Sequence, residues 1–319
     1  MNLENRIEHD MSVLENSLKE VLSSKIVLAT EVANYLVNSG GKRIRPMLTL
    51  LIGRALDYQD DKLIKLACAI ELLHTATLMH DDVVDQSDIR RGKTSIQKKW
   101  DNAHGVLVGD FVYSKAFQLM AELDESNVIS VLADSTNKIS EGEVLQLSLK
   151  GNYLITEKEY LEIIERKTAE LFKASAHSAA LLAKAKETQT IAVKKFAFSL
   201  GIAFQIQDDL LDYMGNQQST GKKIGKDLSE GKLTLPLIKV LEMCNKKESE
   251  FIKLVISEKK SDNFEEIKKM IESTGALDEV KKLVSKHSSI CLNQLNQLPR
   301  SPYRQELENL VNNLKQREF

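Results

Sequence analysis

The sequence predicts an all-α protein, and three observations carry that reading. Apolar residues recur at helical spacing along most of the 319-residue chain. Only four prolines, Pro46, Pro236, Pro299 and Pro302, interrupt it. No run of alternating residues bounded by hairpin turns stands out. Composition is that of an ordinary globular protein, 42% hydrophobic and 28% charged with a formal net charge of −2. That balance gives no general attraction to nucleic acid or to an anionic membrane, so any affinity for phosphate has to come from local clusters. The three cysteines, Cys68, Cys244 and Cys291, form no CxxC pair. They read as small core hydrophobes in a reducing, cytoplasmic setting.

Taken in order, Leu3, Ile7, Met11, Leu14, Leu18 and Leu22 define an amphipathic opening helix. Its acidic first residues are unlike a signal peptide. No run approaches the ~18 apolar residues of a membrane span. "GGKRIRP" (40–46) breaks the pattern, with Gly40-Gly41 as a loop and Pro46 in the first turn of the next helix. Leu63 to His80 is apolar on more than one face and so predicts a central helix. Val106–Leu123 and Val128–Leu149 read as further helices, Glu159–Ala185 as a long alanine-rich one, and Thr190–Tyr213 as a second central candidate. Met214–Lys232, rich in Gly and Lys, reads as a loop. Leu235–Leu241 resumes an apolar helix, and amphipathic helices with charged outer faces follow from Cys244 to the end. With no linker or short repeat, residues 1–319 read as a single domain.

Two segments violate local helix preference in the same way. DDVVD begins at Asp81 and DDLLD at Asp208, each at the end of a long apolar helix. Asp81 and Asp85, like Asp208 and Asp212, stand at i and i+4 on one helix face, with Asp82 and Asp209 beside them. Like charges there are unfavourable, and the negative end of the helix dipole adds to the cost. Two such violations point to a compensating cation. All-oxygen donors suit Mg²⁺, with Mn²⁺ as the alternative, and neither HExxH nor a Cys cluster suggests zinc. Mg²⁺ completes its octahedron with water and substrate phosphates, so the two clusters together suit one diphosphate held through several ions.

The cations accompany these acids. Arg90 and Arg91 follow the first cluster, Lys42, Arg43 and Arg45 lie in the glycine loop, and Lys222, Lys223, Lys226 and Lys232 follow the second cluster. Guanidinium forks and lysine point charges both suit phosphate oxygens, and the glycine loop leads into a helix N-terminus. Basic loops beside acidic helix ends imply two phosphate grips, one metal-mediated and one direct. The Ala, Leu, Val and Met between the clusters fit an apolar space below a charged mouth, or equally a packed core.

The stretches "GGKRIRP", "ELLHTATLMHDDVVDQSDIRRGK", "LVGDFVYSKAF", "EGEVLQL", "RKTAELF", "FQIQDDLLDY" and "GKDLSEGKLTLPLI" together resemble the trans-polyprenyl diphosphate synthases, closest to the long-chain bacterial octaprenyl enzymes. The resemblance covers essentially the whole chain. It implies the isoprenoid synthase fold, a helical bundle around a central cavity, usually as a homodimer. It also implies that Asp81, Asp82, Asp85, Asp208, Asp209 and Asp212 bind Mg²⁺ on the allylic diphosphate, farnesyl diphosphate for instance. Arg90, Lys167, Thr168, Gln205, Lys222 and Lys232 would lie on that substrate's side. Lys42, Arg45, His74 and Arg91 would hold isopentenyl diphosphate. In the implied reaction the allylic C–O bond ionises as its diphosphate is neutralised, the isopentenyl double bond attacks, and a proton leaves. His80 reads either as a partner of Asp81 or as a structural histidine. Product release allows transient membrane contact without a transmembrane segment.

Small residues below Asp81, Ala76 and Thr77, leave room for a prenyl tail one turn of about 5.4 Å down the helix. Phe117, Leu119 and Met120 are candidates for the floor. The expected product is octaprenyl (C40), serving quinone side-chain synthesis, with C35 and C45 as the alternatives. Three rivals fit less well. A terpene cyclase usually has an Asn/Ser/Glu second metal motif and an aromatic-rich pocket, whereas aromatics are 5% here. An HD-type phosphohydrolase needs more ligand histidines than the six present. A non-catalytic partner subunit would lose aspartates that this chain retains.

Overall fold

The helices follow the apolar periodicity closely in the computed structural model, which describes residues 3–214, 225–258 and 263–315. Internal contacts divide the chain into two compact units. The first comprises Met1–Asp134, Leu171–Lys194 and Leu295–Leu307, and the second Ser135–Glu170, Lys195–Gln294 and Glu308–Phe319.

In the first unit, α1 (Leu3–Val21) buries Leu14 and Leu18 as its spacing predicts. Next come α2 (Val27–Val37) and α3 (Ile44–Ala55), then α4 (Lys62–Val84). Helix α4 buries residues on more than one face, among them Leu63, Leu66, Ile70, Leu73, Ala76 and Met79. It packs against α1, α3 and, after α5 (Ile96–Lys99), against α6 (Asn102–Glu122). Each such fully buried Leu or Ile contributes on the order of 1.5–3 kcal/mol. One expectation is corrected here: α4 is long and apolar enough to cross a membrane. Its apolar window is, however, 72% buried inside the protein, as in a core helix.

A second correction concerns strands. Ile89–Arg90 (β1) and Lys93–Thr94 (β2) pair antiparallel. Arg91 and Gly92 form the two-residue turn between them, both at positive φ (51° and 74°), the mirror-image geometry that matches strand twist. Two-residue strands leave no alternation to read, and Arg is an unusual first residue for such a turn.

The second unit holds residues 135–149 of α7 (Ser126–Leu149), then α8 (Glu157–Ile164), opened by a capping box in which Thr156 and Glu159 satisfy each other's backbone N–H. The predicted single helix over Glu159–Ala185 is instead three pieces: α8, a π-helical turn at Glu165–Ala169, and α9 (Glu170–Leu182). From α10 (Glu187–Met214), Ile202, Ile206, Leu210 and Tyr213 enter this unit's core. They join residues of α12 (Leu235–Met243), α13 (Lys246–Ser257), α14 (Phe264–Ser273) and α15 (Ala276–Leu295). The described part of the predicted loop, from Gly225, contains a single helical turn, α11 (Lys226–Ser229). Helix α16 (Pro302–Lys315) ends the described chain. Cys68 and Cys291 are buried, and burial pushes both thiols up to about 12, in keeping with core packing.

Candidate active site

The first aspartate cluster closes α4. Asp81 and Asp85 are half-buried, whereas Asp82 is wholly buried. Asp85 caps the helix, its N–H donating to the Asp81 carbonyl at 2.8 Å. Arg90, brought back by the β-hairpin, donates to Asp82 Oδ1 from Nε at 2.8 Å, with Nη2 at 2.6 Å from the same oxygen. Burial disfavours the Arg90 charge, but Asp82, then Asp81 and Asp85, outweigh it and raise its pKa. His80 does not turn towards this cluster: its Nε2 lies 3.3 Å from the Val106 carbonyl and 3.4 Å from Asp110, bridging to α6.

The glycine loop and α4 build a cationic group in the same unit. Arg45 Nη1 lies 3.1 Å from His74 Nε2, and its guanidinium stacks 4.7 Å from the Phe172 ring centre. Burial lowers Arg45 to about 10, against the opposing field of Glu71. Its Nε is buried, and among the described residues no partner meets it. The residue as a whole is half-buried, and an incompletely paired guanidinium that keeps some surface is suited to an incoming anion. Burial and then Arg45 and Arg91 push His74 well below its ordinary value, so it is a neutral imidazole here. Arg91 Nη1 donates to the Gly40 carbonyl. Its guanidinium lies 2.8 Å from where a side chain on Gly41 would begin, and the positive φ of Gly41 (143°) is backbone that favours glycine. Lys42 is exposed.

Arg43 differs from its neighbours. It is buried, adopts a left-handed backbone (φ 46°) at the start of α3, and donates to Glu15, Glu71 and the Val37 carbonyl. Left-handed backbone in a non-glycine residue costs on the order of 1 kcal/mol, offset by these bonds. Sequence reasoning grouped Arg43 with the loop cations and missed Glu71. The readable signal was a lone carboxylate in the apolar run "AIELLH".

The neutral His74 yields a prediction. The unfolded chain binds a proton on this imidazole near pH 6.5 and the folded chain does not, so stability falls as pH drops below that value. In His74→Gln, melting temperature is expected to fall less between about pH 7 and about pH 5.5 than in the parent. Equal acid sensitivity in a thermal melt would count against a neutral His74.

The second unit holds the other cluster. Asp209 is buried, with Tyr160 Oη donating to its Oδ2 at 2.6 Å and Gln205 Nε2 to its Oδ1 at 2.7 Å. Thr168 Oγ1 in turn donates to Gln205 Oε1 at 2.9 Å. Burial pushes Asp209 up to about 7 despite these bonds, and Asp208 and Asp212 add to the rise. Asp212 accepts from the backbone N–H groups of Lys226 and Asp227, at 3.2 and 3.0 Å. Asp227 is itself raised well above the usual range by burial, then by Asp212 and Asp209. So much crowded negative charge fits a divalent cation, which would draw these carboxylates back to their ionised form.

Lys167, in the π-helical turn, is held by Glu143 Oε2 at 2.7 Å and Gln146 Oε1 at 2.8 Å. Gly142 lets the π-helical turn approach α7, since a Cβ there would stand 2.7 Å from Arg166 Cβ and 3.0 Å from the Lys167 backbone nitrogen. Lys232 pairs with Glu230 at 2.7 Å. Lys222 lies outside the described residues. Tyr160, Glu143, Gln146 and Asp227 escaped sequence reasoning as partners, because each is tied to its target across at least 15 residues of sequence. Among the chain-length candidates, Ala76 and Met120 are buried, at 0% and 1% exposure, and Thr77 is half-buried with Oγ1 bonded to the His74 carbonyl.

Comparison with known proteins agrees with this chemistry. A family model described as polyprenyl synthetase matches residues 27–274. The chain is 38% identical over 322 residues to octaprenyl diphosphate synthase of Escherichia coli (strain K12), covering 100% of both. It is 40% identical to all-trans-nonaprenyl-diphosphate synthase (geranyl-diphosphate specific) of Rhodobacter capsulatus, over 96% of this chain and 94% of the relative. A polyprenyl synthase from Caulobacter crescentus CB15, crystallised with calcium and isoprenyl diphosphate, superposes with a TM-score of 0.94 at 36% identity, covering 99% of this chain and 97% of that one. The chain belongs to the polyprenyl synthetase family and is thereby a trans-prenyltransferase of the polyprenyl diphosphate synthase type, with an isoprenoid synthase fold.

Proposed function

We propose that this enzyme adds isopentenyl diphosphate repeatedly to an allylic diphosphate, farnesyl diphosphate for preference, and releases octaprenyl diphosphate for quinone side-chain synthesis. The observation that carries the reaction is the pair of aspartate-terminated helices, each with its middle aspartate buried and tied by the chain's own donors. Enzymes of this family use a divalent metal, and all-oxygen donors at these helix ends favour Mg²⁺, with Mn²⁺ able to replace it. Asp81, Asp82, Asp85, Asp208, Asp209 and Asp212 are the residues to hold such ions, Asp82 being tied by Arg90 and Asp209 by Tyr160 and Gln205. When bound, such ions neutralise the charge that develops on a departing diphosphate.

The chain's own groups do the rest. Arg90, anchored on Asp82, adds positive charge beside the first cluster, with Lys167, Thr168, Gln205, Lys222 and Lys232 on the allylic substrate's side. Lys42, Arg45, His74 and Arg91 hold the isopentenyl diphosphate. A neutral His74 donates or accepts a hydrogen bond without adding charge. No side-chain nucleophile takes part.

A C40 product has the support of the octaprenyl relative at full-length coverage, while the nonaprenyl relative makes C45 the reading to exclude. Incubation with farnesyl and isopentenyl diphosphates and Mg²⁺, followed by mass analysis, is expected to give C40, and a dominant C35 or C45 product would refute that length. Ala76→Tyr tests the tail's path: products are expected to shorten by at least one isoprene unit. Unchanged length with a lowered melting temperature would assign this enclosed residue to packing alone. A homodimer suits the exposed apolar side chains Val106, Leu107 and Phe117 on α6, and light scattering at twice the chain mass is the expected result.

A further inference from the structure

Glu71 is a carboxylate in a place where physical chemistry prefers a hydrocarbon. It lies inside α4 at 2% exposure, one turn before His74. A well-packed apolar residue is usually at least as stabilising at such a site as an ion pair. Its Oε1 accepts from Arg43 Nη1 at 2.6 Å. Arg43 spends its other nitrogens on Glu15 Oε1 (2.7 Å), Glu15 Oε2 (3.3 Å) and the Val37 carbonyl (2.7 Å), so all three of its nitrogens are engaged within the protein. Its backbone is left-handed, and it stands between Lys42 and Arg45 in the chain. Fixing Arg43 therefore fixes the direction in which those two cations leave the loop. Arg91 opposes the charge of Arg45, and the field of Glu71 favours both; burial disfavours the ionised Glu71 itself, and Arg43 is the first of the cations that oppose this.

We propose that Glu71 is a positioning residue for isopentenyl diphosphate binding: through Arg43 it holds Lys42 and Arg45 in place before the substrate arrives. This rests on the reading that Lys42, Arg45, His74 and Arg91 take that diphosphate. Glu71 touches no substrate in this account, and the allylic substrate's grip does not depend on it.

The test is steady-state kinetics of the full chain with Mg²⁺, varying each substrate while the other is saturating. Glu71→Gln keeps the shape and one acceptor for Arg43 but removes the charge. KM for isopentenyl diphosphate is expected to rise about tenfold, KM for farnesyl diphosphate to stay within about twofold, and Glu71→Asp to recover part of the difference. A residue that only supports the fold would lower the active fraction and melting temperature and move neither KM, and that outcome overturns the proposal. Should Glu71→Gln fail to fold, Arg43→Lys is the second variant. It keeps a charge beside Glu71 but cannot reach Glu15 and Val37 as well, and the same selective rise is expected; an unchanged KM overturns the proposal. Arg45→Ala separates the two levels. A raised isopentenyl KM in Arg45→Ala with none in Glu71→Gln refutes the role of Glu71 alone. No change in Arg45→Ala refutes the assignment of the site and the proposal with it.

Discussion

Asp81→Asn is expected to lower kcat by about 10²–10³-fold and at the same time to leave the protein as stable as before, or a few tenths of a kcal/mol more so. The two effects have one origin. Asp81 and Asp85 stand one turn apart at the C-terminal end of α4, where like charges and the helix dipole disfavour them while Arg90 favours them, so the loss of one charge is close to neutral for the fold. Removing one charge relieves the helix and removes a candidate metal ligand. Asp208→Asn is expected to behave alike. Asp82→Asn should differ, because Asp82 is wholly buried against Arg90. Its replacement leaves a guanidinium facing a neutral amide and is expected to lower stability as well as rate. Paired kinetics and thermal melts separate the cases; an Asp81→Asn enzyme that keeps its kcat would remove this residue from the site.

Asp10→Ala is expected to cost about 3–5 kcal/mol of stability. Asp10 on α1 is 1% exposed and accepts from Arg54 Nε at 2.8 Å and Nη2 at 3.1 Å. Arg54 on α3 is also buried, so the truncated partner leaves a charge with no compensation. Asp10 bonds to none of the candidate site residues, so kcat per folded molecule is expected to hold. Denaturant unfolding checks the first part, and a loss under about 1 kcal/mol would mean that water or another group satisfies Arg54.

Much of this was legible in the chain itself. The helical period marks α1, α4 and α10 because their apolar faces are long, and the two aspartate clusters are conspicuous because they defy helix electrostatics. What stayed hidden is of another kind. The hairpin that returns Arg90 to Asp82 is too short to show alternation. The π-helical turn carrying Lys167 differs from an α-helix by one residue per turn, a change that composition does not record. The ties of Glu71 to Arg43 and of Tyr160 to Asp209 join residues 28 and 49 apart in the chain, so only the folded molecule brings them together. Periodicity also left open whether α4 lines an apolar space or a packed core. Ala76 proves fully enclosed, whereas Thr77 keeps some surface.

Incorporation of labelled isopentenyl diphosphate by the purified chain alone, followed across a Mg²⁺ titration that begins in chelator, probes the metal-held diphosphate most directly. The account predicts no elongation without metal, full elongation with Mg²⁺, and none at any Mg²⁺ concentration once both Asp81 and Asp208 are replaced by Ala. Elongation at an undiminished rate in chelator, or by the doubly substituted chain, would contradict it.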